Sequence, residues 1–316
     1  MRSGILLLDK PAGLSSNAAL QKVRRALRAE KAGHVGSLDP LATGMLPICL
    51  GEATKIAGDV VSGRKCYRFT IALGTRTATG DTEGGVVETG PVPTLDPAAL
   101  EPVLRRFLGR QTQVPPMYSA LKQGGQPLYK LARAGVEVER AARDIELFEL
   151  NLLGLDAGRI ELETVCSKGT YVRVLAEDFA RALGTCGHVV SLRRAYVEPF
   201  GNEPMETLES VAEAVAQGRW PRVLPADWPL RHLPEVSLPP GLVSRLLHGQ
   251  AVPVPDGRGI LILGDAAVPA RMAAAERVRL YDDAGRFLGI GSTDGGGTLR
   301  PRRLFVLQDS SSPERS

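Results

Sequence analysis

The stretch GHVGSLDPLATGMLPICLGEATK, residues 33 to 55, decides how the rest of the sequence is interpreted. Its first eight residues hold two glycines, a histidine, a serine and an Asp-Pro pair, and an apolar run follows. An Asp before Pro often begins a turn, because its side chain can bond the backbone downstream. A turn does not require His34 and Ser37 just upstream of Asp39. A half-buried carboxylate on a rigid loop is also a candidate nucleophile or general base.

The residues around Asp39 suggest other kinds of site, and each meets an objection. His34, Ser37 and Asp39 could form a hydrolytic triad, but triad members normally come from distant segments. A metal site of His34 and Asp39 would need further ligands, and His188 is the other histidine in this part of the chain. The glycines match neither common phosphate-loop spacing. His34 is either a structural histidine or a group that stacks on a base.

The composition is that of a soluble globular protein, with 43% hydrophobic and 23% charged residues among 316. This length allows one large domain and a smaller one. No apolar run reaches the roughly 20 residues that a membrane span needs. The N-terminal MRSGILLLDKPAG indicates a first strand rather than a signal peptide. We therefore expect a cytoplasmic protein without membrane contact.

The cysteines and the charges bear on metals and partners. The spacing of the four cysteines disfavours both a zinc site and a disulfide framework, and buried free thiols are expected. No sequence motif indicates a cofactor. The net charge of +4 is only mildly basic, but local clusters favour a nucleic-acid partner. The clusters are Arg24, Arg25, Arg28 and Lys31; Arg105, Arg106 and Arg110; Arg193 and Arg194; and Arg300, Arg302 and Arg303.

Periodicity predicts alternating strands and helices over residues 1–230. Helices are expected in SSNAALQKVRRALRAE, capped by Ser15 or Ser16, from about residue 53, and in DPAALEPVLRRFLG, TYVRVLAEDFARALG and TLESVAEAVAQGRW. Thr170 is the predicted cap of the helix that begins TYVRV. Strands are expected in GILLL, RKCYRFTIALG, ARDIELFELNLLGLDAGRIELETVCSKG (two strands) and GHVVSLRRAYVEPF.

Three segments interrupt this pattern. Residues 112–142 hold two prolines, a Gly-Gly pair and several basic residues, which indicates an insertion with its own short helix. TRTATGDTEGGVVE is a polar stretch that is typical of a mobile loop. The Pro- and Trp-rich residues 219–240 suggest a domain boundary. Beyond it, 235–308 show a compact β pattern with strands in GQAVPVP and RGILILG and a hairpin in YDDAGRFLG, and 309–316 are expected to be disordered.

CSKGTYVRVLAEDFARALG places Tyr171 and Arg173 at the start of a helix. An arginine there lies at the wrong end of the helix dipole. It is either a surface residue or a partner for a carboxylate or phosphate.

Seven segments together strongly resemble the bacterial tRNA pseudouridine-55 synthases, the TruB family. They occur in order over residues 4–200: DKPAGLSS, GHVGSLDPLATGMLPICLGEATK, KCYRFTIALG, TATGDTEG, PPMYSALKQGGQPLYKLARAG, CSKGTYVRVLAEDFARALG and HVVSLRRAYV. The resemblance implies the α+β pseudouridine synthase fold, with a mixed, mainly antiparallel central sheet flanked by helices. The segment beyond residue 235 resembles the small β-barrel RNA-binding domain called PUA.

The resemblance implies roles for individual residues. Asp39 matches the family's nucleophile, which drives cleavage of the uridine glycosidic bond and re-attachment through C5. Tyr67 matches the tyrosine that stacks on the target base, and Arg173 the arginine that pairs with the nucleophile. Lys10 and Pro11 match a structural motif beneath the site.

Five further residues are expected to bind substrate by the same resemblance. Tyr171 and Leu192 match residues that line the uridine pocket. His34 matches the histidine that supports the flipped-out nucleotides of the T loop. Lys55 and Asp81 lie in GEATK and TATGDTEG. Within this interpretation, the glycines of the Asp39 loop leave room for close approach of RNA.

The expected partner is the T arm of tRNA, bound by a monomer that needs neither metal nor cofactor. One alternative is a guide-RNA-dependent relative, against which the insertion at 112–142 argues, because it resembles the stand-alone bacterial enzymes. A second is a non-catalytic tRNA-binding or tRNA-folding protein, which would have no need of a buried nucleophile. A hydrolase that uses Ser37 and His34 is a more distant alternative.

Overall fold

The computed structural model describes residues 3–61, 63–254, 277–294 and 297–305. The α-helices within them are α1 (Ser16–Ala26), α2 (Ala57–Val61), α3 (Pro97–Arg106), α4 (Leu128–Arg133), α5 (Val172–Ala182), α6 (Leu208–Ala216) and α7 (Pro240–Leu247). The strands are β1 (Gly4–Lys10), β2 (Ala32–His34), β3 (Thr43–Leu50), β4 (Lys65–Leu73), β5 (Thr75–Thr77), β6 (Val86–Thr89), β7 (Gly109–Gln113), β8 (Lys122–Gln123), β9 (Gln126–Pro127), β10 (Arg143–Asp156), β11 (Arg159–Cys166), β12 (Gly187–Val197), β13 (Glu235–Leu238), β14 (Val252–Pro253), β15 (Arg277–Asp282), β16 (Phe287–Thr293) and β17 (Thr298–Leu304). Short 3-10 helices span Gly51–Ile56 and Trp228–Leu230.

The central sheet has eight strands in the order β1-β3-β12-β4-β11-β10-β7, with β2 paired to β3. Neighbouring strands are antiparallel except β12 and β3, which pair in parallel. This confirms the predicted α+β class with a mixed, mainly antiparallel sheet. The parallel pair joins Thr43 to Arg193 and Gly44 to Arg194, so it ties the chain just after Asp39 to the middle of β12.

Strand alternation divides the interior into two layers. Leu6, Leu8, Phe69 and Ile71 lie on the face that carries α1, α3, α5 and α6. Ile5, Leu7 and Met45 lie on the other face, where the first 3-10 helix, α2 and part of the C-terminal segment cover them. The predicted buried face of β4 is confirmed, since Tyr67 and the alternate residues after it are buried. All four cysteines are buried and free.

Capping follows the sequence in one helix and departs from it in another. Ser15 caps α1, and its hydroxyl accepts a hydrogen bond from the Ala18 N–H, as predicted. The prediction that Thr170 caps α5 is wrong, because the cap residue is Tyr171 and the Thr170 hydroxyl donates to the Ser167 carbonyl. The Gln113 amide on β7 binds both the N–H and the carbonyl of Tyr171, so a residue remote in sequence fixes this helix start.

The C-terminal sheet has the order β13-β15-β16-β17-β14 and encloses a core of its own. The hairpin predicted in YDDAGRFLG is confirmed as the β15–β16 turn. Ile290 and Phe305 of this sheet also pack in the second layer of the larger core. The strand predicted in RGILILG and the predicted tail at 309–316 lie outside the described residues.

The insertion and the polar stretch are both partly ordered by pairing. Within 112–142, β8 and β9 form a short hairpin and α4 is the predicted short helix. The stretch expected to be a mobile loop instead forms the β5–β6 hairpin. This hairpin is joined to β12 through the Val189 N–H, which donates to the Gly80 carbonyl. Among the described residues, no helix has the length and apolar character of a membrane span.

Candidate active site

The loop from Val35 to Ala42 is held at several of its peptides by groups from other elements. The Ser16 hydroxyl at the start of α1 accepts from the Leu38 N–H at 2.7 Å and donates to the Leu38 carbonyl at 2.9 Å. The Gly13 N–H donates to the Pro40 carbonyl at 2.8 Å. The Asp39 carbonyl accepts from the Ala42 N–H, which closes the predicted Asp-Pro turn. Asp39 therefore lies on a loop whose backbone is fixed on both sides.

Lys10 supports this loop from below and is fully buried. Its ammonium donates to the carbonyls of Pro11 and Leu14, and to that of Pro40 at 3.4 Å. Burial lowers the pKa of Lys10 to about 8, and the negative charge of Asp39 opposes that shift. The position fits the structural role implied for Lys10 and Pro11.

Arg194 lies on β12, is 1% exposed and holds the other side of the loop by hydrogen bonds. Its guanidinium donates to the Gly36 carbonyl at 2.9 Å and to the Met45 carbonyl at 2.7 Å. A Cβ at Gly36 (φ +69°) would lie 3.1 Å from this guanidinium, and one at Gly44 (φ +98°) would lie 2.2 Å from the Arg194 carbonyl. These two glycines make room for β12. The expectation that the glycines of this loop also leave room for RNA stays a prediction.

Arg173 connects three segments at the first turn of α5 and is 4% exposed, so the surface alternative is wrong. Its Nε lies 2.9 Å from Asp39 Oδ2. Its terminal nitrogens donate to the Thr79 carbonyl at 2.6 Å and to the Tyr118 carbonyl at 2.7 Å. The helix dipole disfavours a cation at this end. The ion pair and the two carbonyls offset that cost and orient the guanidinium toward Asp39.

Burial and the neighbouring charges shift the pKa of Asp39 in opposite directions. Burial raises the pKa of Asp39 above its ordinary range, and the nearby charge of Asp81 acts in the same direction. The guanidinium of Arg173 opposes the rise by its charge and its hydrogen bond, and the ammonium of Lys10 opposes it more weakly. The Asp39 side chain is still 40% exposed. The carboxylate is thus held firmly on one side and open to a cavity on the other.

Asp81 faces the same guanidinium from the β5–β6 hairpin, with Oδ2 3.7 Å from Arg173 Nε. Its other carboxylate oxygen accepts from the Thr79 hydroxyl at 2.5 Å and from the Glu83 N–H at 3.0 Å. Asp81 is 2% exposed, and protein groups already bind both ends of its carboxylate. Its observed contacts order the hairpin and orient Arg173, while its substrate-binding role stays a prediction.

Asp39 opens onto a cavity of about 390 Å³, here called the tyrosine cavity. The Tyr67 ring and Leu192, both 8% exposed, lie in its wall with Tyr171 and Arg173. Burial raises the pKa of Tyr67, and the charge and hydrogen bond of Arg194 oppose that rise. An aromatic ring and an aliphatic side chain beside a carboxylate suit a planar base presented edge-on to Asp39.

A second cavity of about 450 Å³, the histidine cavity, meets the first at Asp39 and Arg173. His34 lies in its wall with Tyr129 and Arg133 of the insertion helix. Burial and the charge of Arg194 lower the pKa of His34, which favours the neutral ring. Two adjoining cavities can accommodate two unstacked nucleotides of one strand.

The structure does not bring Lys55 to either cavity. Its ammonium donates to the Leu304 carbonyl at 2.7 Å and pairs with Glu52 at 2.5 Å. It lines a groove of about 760 Å³ that the first 3-10 helix and α2 form with the C-terminal sheet, where Arg277, Arg302 and Arg303 also lie. The groove is suited to a polyanion outside the catalytic cavities, and a substrate contact for Lys55 stays a prediction there.

Sequence reasoning missed Arg194 and Ser16 as groups that position the loop. Arg193 and Arg194 were assigned to a basic cluster for phosphates, but Arg194 is buried and Arg193 makes a bidentate ion pair with Asp9 at 2.8 and 2.9 Å. The signal was the strand alternation of β12, which places Arg194 on the same face as Leu192. Within the described ranges, no three His, Cys, Asp or Glu side chains come together as a metal-ligand set.

Comparisons with known proteins agree on the family of the chain. Residues 24–172 match the family model described as TruB family pseudouridylate synthase (N terminal domain). Residues 173–230 match the tRNA pseudouridylate synthase B C-terminal domain, and residues 234–305 match pseudouridine synthase II TruB, C-terminal. A relative from Chromohalobacter salexigens, named tRNA pseudouridine synthase B, is 47% identical over 96% of this chain and 94% of its own. One of the same name from Aromatoleum aromaticum is 46% identical over 95% and 92%.

Solved structures agree with the fold at lower identity. An H/ACA RNP bound to a substrate RNA containing 2′-deoxyuridine has a chain that matches with a TM-score of 0.68 and 22% identity, covering 97% of this chain and 86% of that one. A Cbf5-Nop10-Gar1 complex matches with a TM-score of 0.68 and 24% identity, covering 96% and 85%. The chain therefore has the pseudouridine synthase fold and belongs to the TruB family of pseudouridylate synthases.

Proposed function

We propose that this protein isomerises uridine 55 in the T loop of tRNA to pseudouridine, with Asp39 as the nucleophile toward a uridine extruded from the loop. The observation that carries the proposal is the Asp39–Arg173 pair at the wall of a cavity that Tyr67 and Leu192 also line. The relatives named tRNA pseudouridine synthase B support tRNA as the substrate.

The overall reaction is balanced without an oxidant or a reductant. The N1–C1′ bond of uridine breaks, a C5–C1′ bond forms, C5 releases its proton and N1 takes one up. A carboxylate that attacks the nucleotide divides this exchange into two steps through a covalent intermediate. Arg173 favours the ionised form of Asp39 that the attack requires, against the burial that raises its pKa.

Access to the target base requires base flipping. Extrusion costs a few kcal/mol of stacking, which contacts in the pocket recover. Stacking of a base on an aromatic ring such as Tyr67 contributes about 1–3 kcal/mol. The separate histidine cavity fits a neighbouring unstacked nucleotide of the same loop. The arginines of the groove beside Lys55 suit the tRNA backbone, so binding should weaken as salt rises. The enzyme would act in the cytoplasm as a monomer without a cofactor.

A stand-alone enzyme fits better than the two alternatives. The chain is 47% identical to a bacterial protein named tRNA pseudouridine synthase B. The matching chains of RNP complexes are only 22–24% identical, and that likeness concerns the fold. The insertion also contacts the site directly, because the Tyr118 carbonyl accepts from Arg173. A non-catalytic binder would gain nothing from a half-exposed carboxylate paired with a buried arginine.

The decisive experiment uses a T-arm stem-loop with tritium at C5 of the target uridine. Wild type should release tritium, and Asp39→Asn should lose on the order of 10⁴-fold or more of this activity while still binding the RNA, as expected for removal of a nucleophile. Asp144→Asn on β10 is the matched control, since Asp144 is exposed and lines neither cavity. Binding by wild type without tritium release would overturn the proposal.

A further inference from the structure

The Ser119 hydroxyl is buried in the wall of the active site without a hydrogen-bond partner among the described residues. Ser119 is 5% exposed and belongs to the insertion between β7 and β8. A buried hydroxyl without a partner costs folding free energy, and such groups in native structures are few and call for an explanation. A ligand that completes the hydrogen bond is one such explanation.

The position of Ser119 favours a ligand over a packing defect. It is one of six residues that line both the tyrosine cavity and the histidine cavity, and Asp39 and Arg173 are among the other five. Both cavities are large enough for a nucleotide base. Ser119 is therefore placed beside the space where an extruded nucleotide would lie against the nucleophile.

The backbone holds Ser119 in this place. Its N–H donates to the Met117 carbonyl at 2.9 Å, and its carbonyl accepts from the Tyr129 N–H at 3.0 Å. The preceding carbonyl, that of Tyr118, accepts from the catalytic Arg173. The side chain is thus fixed relative to the guanidinium that orients Asp39, while its hydroxyl is the group that the protein leaves unused.

The Tyr171 phenol lies close enough to the Ser119 hydroxyl for the two groups to interact. Burial raises the pKa of Tyr171, and a hydrogen-bonding contact with the Ser119 hydroxyl opposes the rise. The two hydroxyls are close together, but their geometry falls short of a full hydrogen bond. Both residues line the tyrosine cavity, so a ligand there lies beside both.

The geometry points to Ser119 as a substrate-contacting residue, whose hydroxyl hydrogen-bonds a polar atom of the extruded target uridine. This inference rests on the proposed function. The chemistry is that of a neutral hydroxyl beside O2, O4 or the ribose 2′-hydroxyl, and a neutral contact of this kind distinguishes a uridine without adding charge beside Asp39. No role is required of Ser119 in holding the fold.

The test compares wild type and Ser119→Ala on four T-arm stem-loops with uridine, 2′-deoxyuridine, 2-thiouridine or 4-thiouridine at the target position. On uridine, the variant should lose roughly tenfold in kcat/KM, the usual consequence of deleting one hydrogen bond to a buried polar group. On the one analogue that lacks the contacted atom, wild type and variant should be equal, because the contact is already absent. Where an analogue is not turned over, the dissociation constant replaces kcat/KM.

A stability measurement separates this role from a structural one. Without RNA, Ser119→Ala should melt at the same temperature as wild type or higher, because it removes an unpartnered buried hydroxyl. Ser191→Ala, an exposed serine on β12 that bonds Thr70, is the control and should leave kcat/KM unchanged on all four RNAs. A loss that is equal on all four RNAs, no loss on uridine, or a lower melting temperature would overturn the inference. An inactive wild type on uridine would instead contradict the proposed function.

Discussion

Arg173 and Arg279 are both buried arginines placed between two carboxylates, and only one of them is part of a reactive site. Arg173 lies 2.9 Å from Asp39 and 3.7 Å from Asp81. Arg279, on β15 of the C-terminal sheet, lies 3.6 Å from Asp227 and 3.5 Å from Glu235. The side chains of both arginines are about 5% exposed or less.

The two clusters differ in how far their carboxylates are exposed and bound by other groups. At Arg279, the Tyr281 hydroxyl donates to Asp227 at 2.5 Å and accepts from the guanidinium at 3.0 Å, and the Asp227 side chain is 19% exposed. At Arg173, the Asp39 side chain is 40% exposed and faces the tyrosine cavity. An arginine between two carboxylates therefore links two parts of the chain when these groups bind one another, as at Arg279. The same arrangement can support catalysis when one carboxylate stays exposed to a cavity, as at Arg173.

Arg173→Ala should have the largest effect on turnover among these clusters. It leaves Asp39 and Asp81 facing each other without compensation, and losing the charged donor that holds the nucleophile should slow turnover roughly 10²- to 10³-fold, or about 3–4 kcal/mol of activation free energy. The pKa of Asp39 rises further, so less of it is ionised at neutral pH. Single-turnover rates should therefore fall far more than RNA affinity, as measured by filter binding.

Two further variants serve as comparisons for Arg173→Ala. Arg173→Lys keeps the charge but cannot reach Asp39, Thr79 and Tyr118 together, so it should be nearly as slow. Arg181→Ala, at the exposed end of α5, should behave as wild type. Equal losses of rate and affinity in Arg173→Ala would contradict the assigned role.

Arg279→Ala applies the same deletion to the closed cluster. It should lower the free energy of unfolding of the full chain by about 3–5 kcal/mol, because Asp227 and Glu235 lose their buried partner. Turnover of a short stem-loop by the folded variant should change little, since the cluster is remote from Asp39. Urea unfolding and single-turnover rates on the same sample measure both.

The neighbouring Arg277 provides the control for that experiment. It pairs with Asp59 but is 45% exposed, so Arg277→Ala should cost no more than about 1 kcal/mol. If Arg279→Ala slowed turnover as strongly as Arg173→Ala, the contrast between an open and a closed cluster would be wrong.

Local sequence rules predicted most of the elements and only part of the site. The buried face of β4 and the capped start of α1 follow from periodicity and from the Ser15 side chain, which act within a few residues. The contact of Arg194 with Gly36 joins residues 158 positions apart. Strand alternation places Arg194 on the same face as Leu192, but it does not reveal a partner so distant in sequence, and the prediction of a phosphate-binding cluster at Arg194 followed from charge alone.

The failed cap at Thr170 has the same cause. The Gln113 side chain binds the backbone of Tyr171 from a different strand, and this tertiary contact overrides the local preference for a threonine cap. The sequence indicated Asp39 as a candidate nucleophile and Arg173 as a candidate partner of a carboxylate or phosphate, and the family resemblance implied that the two pair. Their distance and the opening of Asp39 to the cavity depend on how α5, the β5–β6 hairpin and the insertion meet.

Asp81→Asn should give the smallest and most specific effect, a shift of the acid limb of the pH–rate profile. The attack requires ionised Asp39, so the rate falls as pH falls through the Asp39 pKa. The charge of Asp81 raises that pKa, while Arg173 lowers it. Without the Asp81 charge, the Arg173 guanidinium pairs with Asp39 alone. The pKa of Asp39 should therefore fall, and the acid limb should move to lower pH.

The plateau rate of Asp81→Asn should fall by less than about tenfold, because an amide oxygen can still accept from Thr79. Single-turnover rates across the acid limb measure the shift, with Asp144→Asn as the control. An acid limb that stays in place or moves to higher pH would show that Asp81 does not act on Asp39 through charge.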